Sequence, residues 1–188
     1  MSLRTTSSQT IGPYLHIGTT WLVTDNLAAN AGTGERITVE GRIVDADGAA
    51  VNDALLDLWQ ANAHGKYAHP ADTQDKPLDP GFTGFGRVQT DNEGRFRFTT
   101  IKPGPVPASN GGMQAPHINI NLFMRGLLRQ LVTRVYFADD AAALASDEVL
   151  ARMSEARRAT LLAHRIADGA YEWNIVLNGN AETVFFDY

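Results

Sequence analysis

A mainly β fold, a β-sandwich with an N-terminal arm and a short helical insertion, is what this sequence predicts. Three observations point to it. Apolar residues alternate with period two over several short stretches, turn signals separate those stretches, and a single helical insertion, rich in helix formers, interrupts them. The chain has 188 residues, 44% of them hydrophobic, which suits one ordinary domain with a full core.

Residues 1–34 read as an arm and linker that pack on a partner chain. They hold few large apolar residues, with Gly12-Pro13 as a breaker and a loose NLAANAGTG run. Ordering a backbone costs about 1–2 kcal/mol per residue, so such a segment needs a surface to dock on. The sandwich itself is expected over 35–188. ERITVEGRIV places Ile37, Val39 and Ile43 on one face, and DADG at 45–48 closes a turn. ALLDLWQAN at 54–62 is apolar on both faces, as a central strand would be.

The run GRVQTDNEGRFRFTTI predicts two strands around Asp91-Asn92-Glu93-Gly94, with Phe96 and Phe98 inward and Arg95 and Arg97 outward. HININLFMRG and RQLVTRVYF predict another pair joined near Arg125-Gly126. Between about 139 and 164 the alternation stops; Ser146 and Ser154 each precede helix formers, which predicts two short helices. YEWNIVLNG and ETVFFDY, around Asn178-Gly179-Asn180, return the chain to strand. The three-proline stretch HPADTQDKPLDPGFTGFG, 69–86, is too irregular for an element, and loops this long are usually functional.

Charge and composition exclude several functions. A net charge of −5 without long single-sign runs offers no footprint for nucleic acid or an anionic membrane. There is no cysteine, hence no disulfide framework, thiol nucleophile or cysteine-held metal. The polar start lacks the apolar core of a secretory signal, and no run of about 18 apolar residues exists to span a bilayer, so a soluble, cytoplasmic protein is expected. No His-Glu-x-x-His helix, Gly-x-Ser-x-Gly elbow or phosphate-cradling glycine loop is present.

The candidate site residues each have a plain reading beside the functional one. His117 is followed two residues later by Asn119, on the same strand face, where a second histidine would complete a metal pair; a packed, hydrogen-bonded histidine is the alternative. His64, Tyr67 and His69 cluster in sequence, either as ligands or as solvated turn residues. Arg125 ends an apolar strand and offers either a planar cation for a carboxylate or a solvated chain end. Thr10, Gly12, Pro13 and Tyr14 allow close backbone approach to a ligand beside an aromatic wall, or form a simple N-terminal turn.

The segments SQTIGPYLHIG, DLWQANAHGKY, PLDPGFTGFGR, DNEGRFRFTTIKPGP, APHININLFMRG, TRVYF and ETVFFDY, in this order, resemble the intradiol ring-cleaving dioxygenases built of paired α and β chains, on the α side. The resemblance runs from about residue 8 to 188. It implies a β-sandwich of the intradiol dioxygenase type and assembly with a β chain. In those enzymes two tyrosines and two histidines of the β chain hold Fe(III), and 3,4-dihydroxybenzoate (protocatechuate) reacts with O2 to give 3-carboxy-cis,cis-muconate on the β-ketoadipate route.

Carried onto this sequence, the four ligand positions fall at Gln74, Val106, His117 and Asn119, which implies no metal and no catalytic residue in this chain. The resemblance further implies that Thr10, Gly12, Pro13, Tyr14 and Arg125 help to wall a substrate site shared with the β chain, and that this chain is not active alone. Two other readings stand beside it: a single-chain dioxygenase in which His64, Tyr67, His69 and His117 converge, and a non-catalytic β-sandwich binding module.

Overall fold

The computed structural model describes residues 4–109 and 111–187. Its first element is a seven-residue helix, α1 (Pro13–Thr19), which Gly12 precedes in extended conformation and which runs into a 3-10 turn at Thr20–Leu22. Pro13 suits that start because its fixed φ fits a first helical turn, where no N–H is needed.

The strands follow as β1 (Arg36–Val44), β2 (Leu55–Gln60), β3 (Phe85–Gln89), β4 (Arg95–Ile101), β5 (Val106–Pro107), β6 (Met113–Gln114), β7 (His117–Phe123) and β8 (Leu131–Phe137). After α2 (Ala141–Ser146), a 3-10 turn at Leu150–Arg152 and α3 (Glu155–Ala159) come β9 (Leu162–Ala167), β10 (Ala170–Glu172) and β11 (Ile175–Val176). β3, β2, β7 and β8 pair antiparallel in that order to make one sheet. β4, β1, β10 and β9 make the other, and β9 also runs parallel to β8 for two residues, so the sheets are joined at that edge. The molecule is a β-sandwich.

Alternation places the core. Ile37, Val39, Phe96 and Phe98 of the second sheet meet Leu56, Leu58, Ile118, Ile120, Leu122 and Val135 of the first in one buried cluster. Gln60 is fully buried between the sheets and satisfied there: its Nε2 donates to the Ile101 carbonyl at 2.8 Å, and its Oε1 accepts from Thr100 Oγ1 at 2.7 Å. The opposite set on the first sheet, Asp57, Trp59, Phe85, His117, Asn119 and Arg134, therefore faces outward, beneath the long loop between β2 and β3.

Two expectations need correction. Ser146 ends α2 instead of preceding a helix: its hydroxyl donates back to the Ala143 carbonyl at 3.1 Å, as serines inside helical turns do. Ser154 does stand immediately before α3, as expected, with no side-chain cap bond. The terminal ETVFFDY forms no full strand; Phe186 makes a single bridge to Val132, and Tyr188 lies outside the described residues.

Within the stretch read as an arm, docking on this chain's own core begins before residue 34. Thr24 bridges Arg87, Asn26 bridges Thr99, and Leu27 and Ala28 are buried in the core cluster. Residues 4–23 are mostly exposed. They present Tyr14, Ile17 and Trp21, which are 86%, 64% and 78% exposed. Among the described residues no helix is long and apolar enough to cross a membrane.

Candidate functional site

Two concave regions hold the singled-out residues, at opposite ends of β7. The first is a cavity of about 790 Å³ on the outer face of the β3-β2-β7-β8 sheet. Strand side chains form its floor: Asp57 and Trp59 from β2, Phe85 from β3, His117 and Asn121 from β7 and Arg134 from β8. The long loop closes one side with Tyr67, His69, Asp72 and Gln74, and the β5–β6 pair closes the other with Val106, Pro107 and Gln114.

Pairing explains why these groups converge. β7 and β8 are in register with Asn119 opposite Arg134 and His117 opposite Tyr136, so all four share a face. Tyr67 stacks on Trp59, with ring centroids 5.7 Å apart, and its hydroxyl accepts from Asn119 Nδ2 at 3.3 Å. Burial pushes the Tyr67 phenol up, against the lowering effect of the Asn119 hydrogen bond, so at neutral pH it is a phenol and not a phenolate.

Both carboxylates at the cavity are engaged. Asp57 receives a bidentate pair from Arg87 at 2.6 and 2.7 Å. Asp72 accepts the N–H groups of Tyr67 at 2.8 Å and Gln74 at 3.0 Å. Burial alone would raise the Asp72 carboxyl, but these hydrogen bonds outweigh it and hold it below its ordinary value.

The second region is smaller, about 310 Å³, and is lined by Ile11, Gly12, Pro13, Ile17, Asp53 and Arg125. It lies where the β7–β8 turn meets the N-terminal segment. Gly126, at φ +87°, turns the chain, and its N–H donates to Thr10 Oγ1 at 2.7 Å. Arg125 stays largely exposed beside Asp53, with its Nε 3.6 Å from Oδ2. Thr10, Gly12, Pro13 and Arg125 are thus brought together, with Tyr14 projecting into solvent next to them. β7 spans seven residues, so at about 3.3 Å per residue roughly 20 Å separates this cluster from His117.

A profile of the Dioxygenase family matches residues 12–179. The chain belongs to the intradiol dioxygenase family. It is 40% identical to the protocatechuate 3,4-dioxygenase alpha chain of Burkholderia cepacia, over 99% of this chain and 98% of that one. It is likewise 40% identical to the alpha chain of Pseudomonas putida, over 97% and 96%. It is also 43% identical to the Burkholderia cepacia beta chain, over 80% of this chain and 67% of that one. Among solved structures, catechol 1,2-dioxygenase from Pseudomonas arvilla C-1 superposes with a TM-score of 0.61 at 22% identity, covering 85% of this chain and 58% of that one, a likeness of fold.

For an intradiol dioxygenase the metal is ferric iron, and the donors here do not fit it. Gln74 and Val106 line the larger cavity with His117, and Asn119 sits beside them against Tyr67. Valine has no donor atom. Gln74 spends its Nε2 on the Gly65 carbonyl and Asp72, and Asn119 spends its Nδ2 on the Trp59 carbonyl and Tyr67. One imidazole, two neutral amides and a protonated phenol supply no negative charge to a trivalent ion. His69 also lines the cavity, whereas His64 is exposed and is not part of the wall; among the described residues no three His, Asp or Glu side chains form a metal set. The convergence that a single-chain enzyme would need is therefore incomplete.

His117 is packed and neutral. Its Nδ1 lies 2.7 Å from the Ala115 carbonyl, and its ring rests 5.4 Å from that of Tyr136. Burial, helped by the Arg134 charge, pushes its pKa down to about 4 from 6.5. A folded-state value below the unfolded one means that the unfolded chain takes up the proton first. Stability contributed by neutral His117 is therefore complete above about pH 6.5 and is lost as pH falls towards 4, by about 3 kcal/mol in all. Urea unfolding midpoints should decline between pH 7 and 5, above the range in which carboxylates titrate, and His117→Gln should flatten that decline; an equal slope in both proteins would refute the assignment.

Sequence reading missed Arg134, Gln114 and the Trp59–Tyr67 stack. The signal for Arg134 was present in RQLVTRVYF, where alternation sets it apart from Thr133 and Val135. Only the register of the β7–β8 pair reveals that it stands opposite Asn119.

Proposed function

We propose that this chain is the non-metal α subunit of a protocatechuate 3,4-dioxygenase, acting with an iron-bearing β chain. The observation that carries the proposal is the separation of the two regions. The positions that would hold iron lie in one cavity with the wrong donors, while Arg125 and the Thr10–Tyr14 segment gather about 20 Å away at the protein's rim. Side chains so placed cannot serve this chain's own cavity; they suit a site completed by a neighbour. The exposed Tyr14, Ile17 and Trp21 are apolar surface of the kind that an obligate interface buries.

In this reading 3,4-dihydroxybenzoate binds at the junction of the two chains, and the β chain's ferric ion supplies the activation that lets O2 open the ring between the two hydroxylated carbons. This chain supplies binding and shape. Arg125 provides the local cation for the substrate carboxylate, Gly12-Pro13 permits close backbone approach, and Tyr14 forms a wall. A local cation matters because fields from the rest of an acidic chain are screened beyond about 8–10 Å at physiological salt. The same reading sets the protein in the cytoplasm, with no nucleic-acid or membrane partner.

The test is co-purification and iron analysis. The protein should co-elute with a second chain of similar size, with about one iron per pair and none retained when the β chain is removed. Stoichiometric iron in the separated chain would overturn the proposal, as would activity of that chain alone.

A further inference from the structure

The smaller region contains a carboxylate that its assigned chemistry leaves without a role. We propose, resting on the assignment of Arg125 to the substrate carboxylate, that Asp53 is a positioning residue: it holds Arg125 with its guanidinium turned to the shared site, and so makes that site select ring compounds with a carboxylate over those without one.

Strand register brings the two residues together. Leu55 pairs with Phe123 at the end of the β2–β7 ladder, so two residues further out on each side Asp53 and Arg125 stand opposite one another. The backbone that carries Asp53 is fixed. Its neighbour Ala54 is fully buried; the Ala54 N–H donates to Thr90 Oγ1 at 3.0 Å, and the Ala54 carbonyl accepts from the Thr90 N–H at 3.0 Å. The Asp53 side chain is 25% exposed, against 74% for Arg125, so the anchored member of the pair is the acid.

One oxygen does the holding. Asp53 Oδ2 accepts the Arg125 backbone N–H at 3.2 Å and lies 3.6 Å from Nε of the same residue. The second distance is too long for a hydrogen bond and leaves a Coulombic contact. It draws the Nε edge of the guanidinium back towards Asp53, while among the described residues neither Nη makes a hydrogen bond. Those nitrogens stay available to a carboxylate. The next N–H, that of Gly126, donates to Thr10 Oγ1, so two separate segments pin the turn that bears Arg125.

Magnitudes decide the sign of the effect. Among the described residues the Arg125 guanidinium has no other ion pair, and without Asp53 it would spread over many rotamers that a ligand must then restrict. The rotamer freedom of an arginine corresponds to roughly 30-fold in binding. The opposing effect is repulsion between Asp53 and a bound carboxylate. At a solvated rim two like charges about 7 Å apart weaken binding by less than about threefold, and by less again in salt, so orientation prevails.

Steady-state kinetics on the co-purified αβ pair test this. Asp53→Ala should raise the KM for 3,4-dihydroxybenzoate by about 3- to 10-fold, with kcat and iron content held. Asp53→Asn keeps an oxygen for the Arg125 N–H and should raise it by a smaller factor. Added to Arg125→Ala, Asp53→Ala should raise KM no further, because no guanidinium is left to orient. Catechol, which lacks the carboxylate, should inhibit competitively with the same Ki in the unaltered and Asp53→Ala enzymes, a readout that general damage to the fold would move. A KM in Asp53→Ala equal to or below that of the unaltered pair would overturn the proposal, as would a rise that persists in the Arg125→Ala background or a matching change in the catechol Ki. The two assignments fail separately: an unchanged KM in Arg125→Ala removes Arg125 from the site and Asp53 with it, whereas a raised KM there beside an unchanged one in Asp53→Ala removes Asp53 alone.

Discussion

With this chain as the proposed α subunit, replacing Arg125 with alanine should raise the KM for 3,4-dihydroxybenzoate about 10- to 100-fold in the αβ pair, with iron content unchanged. A hydrogen bond to a charged group is worth about 1.5–3 kcal/mol, and each 1.4 kcal/mol is a factor of ten in binding. Arg125 has little competing commitment: its side chain is 74% exposed and meets Asp53 at 3.6 Å, and such exposed pairs stabilise by about 0–1 kcal/mol. Arg125→Lys keeps the charge and loses the planar fork, so it should fall between the two. The effect should also shrink as ionic strength rises, because the site lies at the rim. Steady-state kinetics on the co-purified pair decide it; an unchanged KM in the alanine variant would remove Arg125 from the substrate site.

Gly41→Ala should cost this protein its folded state. Gly41 lies in β1 opposite Phe96, and a Cβ there would stand 1.7 Å from the Trp173 carbonyl oxygen and 2.7 Å from its carbonyl carbon. The obstacle is backbone and cannot swing aside. Trp173 is held by its own N–H donating to the Glu40 carbonyl at 2.9 Å, and its indole donates to the Thr160 carbonyl at 3.0 Å. Asn174 is tied to the same strand, its Oδ1 accepting from the Arg42 N–H at 2.8 Å. Relief would require β1 to part from the segment between β10 and β11, which also pairs with it on both sides of the clash. Losses above about 4 kcal/mol mark damage of this kind, against total stabilities of about 5–15 kcal/mol. The variant should be recovered mainly as insoluble protein, or with its thermal transition lowered by many degrees; a soluble variant melting within a few degrees of the unaltered protein would show that β1 and Trp173 are less tightly joined than their hydrogen bonds imply.

Much of this architecture is written locally. Ile37, Val39 and Ile43 turn inward because strand side chains alternate, and the same rule places Phe96 and Phe98 in the core and leaves Arg95 and Arg97 outside. Gly126 can be read as a turn because a positive φ suits glycine best. Other features depend on partners far along the chain. β3 and β4 are consecutive and separated by a short turn, yet they do not pair with each other: β3 joins β2 in one sheet and β4 joins β1 in the other. Nothing in the turn residues distinguishes that crossing from a hairpin. Gly41 shows the same limit, since its importance comes from Trp173, more than a hundred residues later.

Residue identity and period-two alternation are local properties, and from them the chain's β texture, the inward and outward faces of its longer strands and its family could all be read. Only the tertiary structure decided that His117, Arg134, Trp59 and Tyr67 share a cavity while Arg125 and Gly12 form another at the far end of β7. It also decided that Leu27 and Ala28 join this chain's own core. The physical reason is that strand register and sheet assignment arise from contacts between distant segments, and a register one residue different would have turned each of those side chains to the opposite face.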